Sequence, residues 1–166
     1  KPCRADIRRC LAGDRDKVLS LVQKTQVFRP EELAIAQEVF DDAVEKGPEG
    51  HYQSFVAEAG GKLTGWLCFG PTPCTIGTFD IYWIAVTPEK QSCGIGTRLM
   101  QHAEKLIAGK GGRMAVAETS GTDRYSTTRR FYENLGYRQA CTVRDFYAPG
   151  DNKVIYTKKL MSFSDE

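Results

Sequence analysis

A chain of 166 residues, 41% hydrophobic and 27% charged, is long enough to bury a substantial core as one domain, residues 1–166, without staples. Its 23 basic and 21 acidic residues are interleaved and leave a net charge of +2, which argues against nucleic acid or a membrane surface as partner. No apolar run approaches the roughly 20 residues of a bilayer crossing and no signal-peptide core opens the chain, so a cytoplasmic protein is expected.

The six cysteines, Cys3, Cys10, Cys68, Cys74, Cys93 and Cys141, are scattered. They show no Cys-x-x-Cys pair and no metal-ligand spacing, which predicts free thiols and no metal. The chain opens on Lys1 rather than Met, which carries the expectation of a longer parent.

In chain order, Cys3 to Cys10 reads as a short first strand, and Gly13-Asp14 as a turn and cap. Val18, Leu19, Leu21 and Val22 predict an amphipathic helix over 16–25. Pro30 suits a second helix start, with Glu31 and Glu32 where the helix dipole favours acids, and the pattern runs to Gly47. Residues 51–59 and 62–69 are strand-like runs joined by Gly60-Gly61, a hairpin signal. Phe79 to Val86 is short and rich in aromatic and β-branched residues, as a buried strand is.

Next come a glycine turn, Gln91-Ser92-Cys93-Gly94-Ile95-Gly96-Thr97, and a helix with Ile95, Leu99, Ala103 and Leu106 on one face. Residues 113–118 form a short strand and 124–134 a helix ended by Gly136. Residues 137–146 and 154–160 close the chain as two strands about the turn 148–151.

Glycines ahead of a helix let a ligand approach the backbone closely, while the first helical N–H groups point outward unpaired. Such a turn can hold a phosphate or pyrophosphate. Spacing separates the candidates. A P-loop needs Lys after its last glycine, but Gly96 precedes Thr97 and Arg98. A dinucleotide fingerprint needs a small residue where Leu99 stands, and no βαβ unit with a ribose-binding acid accompanies it. A glycine turn that merely joins a strand to a helix is the plainest alternative.

What remains is a strand ending in Val-x-Pro followed by Gln/Arg-x-x-Gly-x-Gly/Ala. Carried by Val86, Pro88, Gln91, Gly94 and Gly96, this resembles the central signature of the GNAT superfamily of acyl-CoA-dependent N-acyltransferases. Phe131 to Tyr137, Phe-Tyr-x-x-x-Gly-Tyr, and the element order over nearly the whole chain agree with it. The resemblance implies an α/β (α+β) fold: a mixed, mostly antiparallel sheet of six to seven strands, splayed at the central strand, with about four helices. It also implies acetyl-CoA as acyl donor, held by Gln91 to Thr97, with main-chain groups of Ile84, Ala85 and Val86 on the pantetheine arm. At Cys93 the backbone N–H is expected to be the useful group and the thiol incidental.

The implied reaction passes an acetyl group directly to a neutral amine, which calls for a proton acceptor, oxyanion donors and an acid for the departing thiolate. The resemblance places Tyr132 near the cofactor sulfur as that acid, against the alternative of a packed core aromatic. Asp80 is conspicuous in an apolar strand. Alternation puts it on the face of Tyr82, Ile84 and Val86, where a carboxylate can act as base, grip the substrate ammonium, or simply pair with an arginine. Glu118 is the second candidate base, or orients substrate or Asp80. Arg129, with Arg124 and Arg130, could reach the phosphates, though each also fits a solvated helix face. His51 and His102 read as surface residues without a catalytic part, with a place near a substrate loop as the alternative for His51.

The leading reading is an N-acetyltransferase acting on a small amine or amino-acid-like acceptor in a ternary complex. A protein or peptide amine is the next acceptor, and a non-catalytic acyl-CoA sensor or accessory domain the alternative from another class. The sequence leaves the oligomeric state open, a homodimer included.

Overall fold

The computed structural model describes residues 4–160, so the expectations placed on Cys3 lie outside the described residues. Seven strands and four helices occur in the predicted order: β1 (Asp6–Arg9), α1 (Arg15–Lys24), α2 (Pro30–Lys46), β2 (Gln53–Ala59), β3 (Lys62–Pro71), β4 (Thr78–Val86), α3 (Ile95–Gly109), β5 (Met114–Ser120), α4 (Ser126–Asn134), β6 (Arg138–Ala148) and β7 (Asp151–Lys159). The strands form one sheet in the order β1-β2-β3-β4-β5-β7-β6. The pairs β1–β2, β2–β3, β5–β7 and β6–β7 run antiparallel, and β4–β5 runs parallel. This is the mixed α/β architecture expected.

The chain forms two compact units. The first runs through Gly70 and takes in Tyr82–Lys105. Its strands carry a helix layer on each face. Toward α1 and α2 lie Cys10, Val18, Leu21, Val22, Ala36, Phe40, Val56, Trp66, Cys68 and Ala85, all buried. Toward α3, Leu99 and Ile95 come so close to β3 that a Cβ on Gly65 would stand 2.8 Å from Leu99 Cδ1 and 3.1 Å from Ile95 Cγ2. Gly65 therefore seats the first turn of α3 on the sheet. The Gly60-Gly61 hairpin has φ of +59° and +75°, positive at both centres as a tight right-twisting hairpin requires.

Local chemistry fixes the helix starts. Pro30 opens α2, and the Glu32 carboxylate accepts the Arg29 N–H at 2.6 Å, satisfying a donor that the helix cannot. Ahead of α1, Asp14 accepts the Leu11 N–H at 2.8 Å and both terminal nitrogens of Arg8 at 2.7 and 3.0 Å.

The second unit comprises Pro71–Ile81 and the chain from Leu106 onward. Its core gathers Phe79, Ile81, Ile107, Ala115, Ala117, Tyr132, Tyr137, Val154 and Tyr156. β4 pairs with β5 from Thr78↔Met114 to Ile81↔Ala117. β6 lies at the sheet edge, exposed from Arg138 to Phe146, and its register against β7 shifts twice.

The five described cysteines are free thiols. Burial pushes the Cys10 thiol up to about 12 and that of Cys68 well above its ordinary value. Among the described residues, no helix is long and apolar enough to cross a membrane, and no cluster of three or more His, Cys, Asp or Glu could hold a metal.

Candidate active site

In the first unit, the glycine turn is built from β4 outward. After Val86 the chain makes a single 3₁₀ turn at Pro88–Lys90 and then runs through Gln91–Gly94 into α3. Ser92 and Gly94 both take positive φ, +66° and +82°. The Arg98 N–H donates to the Gly94 carbonyl at 3.0 Å, so the N–H groups of Ile95, Gly96 and Thr97 precede the first bond inside α3. Above Gly94 the space is open: a Cβ there would meet no heavy atom within 4 Å. Main-chain donors at a helix start beside open space suit a phosphate group.

Two residues of the turn hold its shape. The Gln91 side-chain amide donates to the Val86 carbonyl at 3.2 Å, tying the strand end to the turn. The Cys93 N–H, expected to serve the ligand, instead donates to the Lys90 carbonyl at 3.3 Å. A turn this tight must close its own bonds before it can present any outward. Of the strand end, Ala85 is buried in the core, whereas Ile84 and Val86 are half-buried.

Alternation along β4 holds only in part. Phe79 and Ile81 are buried with Asp80 half-buried between them, but Tyr82, Trp83 and Ile84 are all half-buried. Trp83 is the residue that departs from the pattern; Asp80, Tyr82, Ile84 and Val86 are each half-buried, as the alternation expects. Trp83 meets Phe28 and Trp66 at ring centroids of 5.0 and 5.8 Å, and Tyr82 meets Tyr52 at 5.2 Å.

In the second unit, Asp80 accepts a hydrogen bond from the Thr72 hydroxyl at 2.7 Å. Thr72 is itself fixed by its N–H on the Thr78 carbonyl at 2.8 Å. The acid is thus held by a neutral donor of its own unit. Glu118 is paired with Lys153 at 2.8 Å, and Lys153 in turn lies 4.2 Å from the centroid of the Phe146 ring. Tyr132 is buried against Tyr137 and Tyr156, with centroids at 5.7 and 5.8 Å, and burial alone drives its phenol above the ordinary value. Arg129 Nη1 donates to the carbonyls of Ser120 and Thr122 at 2.8 and 2.7 Å, which fixes the loop ahead of α4. Arg124 and Arg130 are exposed.

Neither histidine is a plain surface residue. His102 is half-buried edge-on to Phe55 at 4.8 Å, its Nε2 buried without a partner among the described residues. His51 Nε2 lies 2.9 Å from the Tyr82 hydroxyl, and its ring stands edge-on to Tyr52 at 4.8 Å. Nothing in the sequence links His51 to Tyr82, 31 positions on; only the fold brings them together.

Comparison with known proteins agrees with this geometry. Residues 50–139 match the family model described as an acetyltransferase (GNAT) domain. Among solved structures, a Desulfovibrio desulfuricans protein assigned to the GNAT family of acetyltransferases is 38% identical, over 95% of this chain and 100% of its own, with a TM-score of 0.90. The ribosomal-protein-S18-alanine N-acetyltransferase of Escherichia coli shares the fold at 18% identity and a TM-score of 0.75, over 98% of this chain and 99% of its own. An aminoglycoside 6'-N-acetyltransferase complexed with coenzyme A does so at 18% and 0.75, over 96% and 99%. No curated protein matches the chain in sequence.

Proposed function

Because the chain belongs to the GNAT family and is an N-acetyltransferase, we propose that it moves the acetyl group of acetyl-CoA directly to a primary amine in a ternary complex. A small amine or amino-acid-like acceptor is preferred, and a protein or peptide amine comes next. The near-neutral charge of the chain supports a small acceptor over a polyanionic or polycationic one.

One observation carries the reading: the N–H groups at the start of α3 that precede its first bond, beside the open space at Gly94. Those of Ile95, Gly96 and Thr97, with the exposed Ser92 and Gly94 beside them, would take the diphosphate of acetyl-CoA. Gln91 and Cys93 keep the turn in shape. Main-chain groups of Ile84, Ala85 and Val86 would align the acyl arm, and a main-chain donor there would face the thioester oxygen as negative charge develops on it. In the transfer, the neutral amine nitrogen bonds to the carbonyl carbon, the carbon–sulfur bond breaks, and the thiolate takes a proton.

Tyr132 stays the proposed acid on the strength of its place in the Phe-Tyr-x-x-x-Gly-Tyr segment, while the burial that raises its phenol is what a core aromatic also has. Asp80, steadied by Thr72, and Glu118, paired with Lys153, stay the proposed groups toward the acceptor side. Arg129 would serve the phosphates with nitrogens other than the Nη1 that Ser120 and Thr122 engage.

Calorimetric titration with acetyl-CoA, followed by thiol release with kanamycin, spermidine and an alanine-terminated peptide, tests the proposal. Saturable binding and thiol release with at least one amine are expected. Binding with no release on any amine would point instead to a sensor, and no binding at all would remove the turn from the argument.

A further inference from the structure

The aromatic cluster at the start of β2 is absorbed by none of the roles above. His51, Tyr52 and Tyr82 meet pairwise, with centroids 4.8, 5.2 and 5.8 Å apart, and each is half-buried rather than sealed. Within the cluster one polar contact is directed, His51 Nε2 to the Tyr82 hydroxyl at 2.9 Å. The backbone makes room for it. A Cβ on Gly70 would stand 2.6 Å from the His51 carbonyl, 3.0 Å from Tyr82 Cε2 and 3.2 Å from His51 Nε2, so any side chain there would push the two rings apart.

A packing cluster does not need this arrangement, because a phenol at the surface is satisfied by water. With the imidazole proton on Nδ1, the geometry supplies a hydroxyl whose proton has a ready acceptor. Tyr82 lies in β4, two residues before Ile84.

We propose that Tyr82 and His51 form the proton-accepting pair for the acceptor amine, a role that rests on the acetyl-transfer reading above. Tyr82 is the group that meets the ammonium, and His51 acts through it. With the imidazole proton on Nδ1, Nε2 accepts the phenolic proton while the phenol oxygen takes one from the ammonium. The amine lone pair, now free, forms the nitrogen–carbon bond at the thioester carbonyl; the carbon–sulfur bond breaks, the proposed acid protonates the thiolate, and the second amine proton restores that acid. The imidazolium then loses its proton to water, so the products are an amide, coenzyme A thiol and one proton.

An imidazole is suited to this work because it changes charge close to neutrality. Beside the pair stands Tyr52, just ahead of β2, and acting on Tyr52 are the Asp42–Lys46 ion pair of α2 at 2.6 Å and the Cys68 thiol of β3.

The test uses the full chain with acetyl-CoA and the same three amines. His51→Gln and Tyr82→Phe should each lower kcat at least tenfold at pH 7, within the range of general-base contributions. Affinity for acetyl-CoA and the melting temperature should stay near wild type. The double variant should be no slower than the worse single one, since the two residues act in series. The deficit should narrow toward pH 9, where more of the amine is already neutral.

Unchanged rates in both variants, additive losses, or a deficit independent of pH would overturn the pair while leaving acetyl transfer intact. Should the wild-type chain release no thiol with any amine, the transfer reading itself fails and the pair with it. A variant that melts early is replaced by Gly70→Ala, which should displace the same contact and lower kcat without touching the helix start; full activity in Gly70→Ala would equally count against the pair.

Discussion

At the scale of single residues, Asp14 and His102 respond to pH in different windows. The Asp14 carboxyl is held below the usual carboxylate range, first by its bond to Arg8, with the Leu11 N–H adding to the same effect. A carboxyl depressed in the folded state gives stability that is full above its ordinary value and fades as pH falls through the lowered one. Asp14→Asn should destabilise the protein by about 2 kcal/mol at pH 7, with the deficit closing in strong acid, as denaturant unfolding at pH 7 and pH 3 can read. The His102 imidazole is pushed down by burial, then by the charges of Lys105 and Arg9. Here the unfolded chain binds the proton first, so stability is intact above about pH 6.5 and drains as pH falls below it. His102→Leu should flatten the melting temperature between pH 7 and 5. A slope unchanged from wild type would mean that another group sets it.

At the scale of elements, the start of α3 joins packing to binding. Gly65→Val would thrust atoms against Leu99 and Ile95, and overpacking of this kind costs about 1–3 kcal/mol. Because those two residues sit in the first turns of α3, acetyl-CoA affinity should fall along with stability. At Gly94→Val no neighbour crowds the new side chain, so strain at φ of +82° costs about 1–3 kcal/mol without moving α3, and affinity should drop at least tenfold. Calorimetry and thermal unfolding measure the two effects separately.

Much of this element scale was legible. The turn residues announced the hairpin at Gly60-Gly61, Pro30 announced α2, and the glycine pair announced α3. The half-burial of three successive residues in β4 was not, because the Tyr82 and Trp83 partners, Tyr52, Phe28 and Trp66, lie far off in sequence. His102 was misread for a related reason. The buried stripe of α3 includes Met100 and Ile107 and is wider than its first-noted residues, so the neighbouring imidazole falls against Phe55.

At the scale of the whole molecule, the fold could be read almost entirely and the chemistry only in outline. Periodicity and turn residues fix strands and helices locally, whereas a proton path needs atoms brought together from separate elements, as with Thr72 and Asp80 or His51 and Tyr82. A ligand that binds only the folded chain stabilises all of it. Acetyl-CoA at 100 times its Kd should add about 2.7 kcal/mol, or roughly 5–10 °C in melting temperature for a chain of this size. Thermal-shift measurement should show that rise in wild type and a smaller one in Gly94→Val, about 1.4 kcal/mol for a tenfold loss of affinity at the same concentration.

The outermost strand, β6, carries a further consequence for how the protein behaves in a crowded solution. Its slipped pairing with β7, the +52° φ of Asp145 and the charges of Arg138, Arg144 and Asp145 break up what would otherwise be a straight row of open donors and acceptors. A neighbouring chain finds no regular template there on which to lay a strand. At the opposite rim β1 is only four residues long and ends in Arg8 and Arg9, so both borders of the sheet discourage fibre growth.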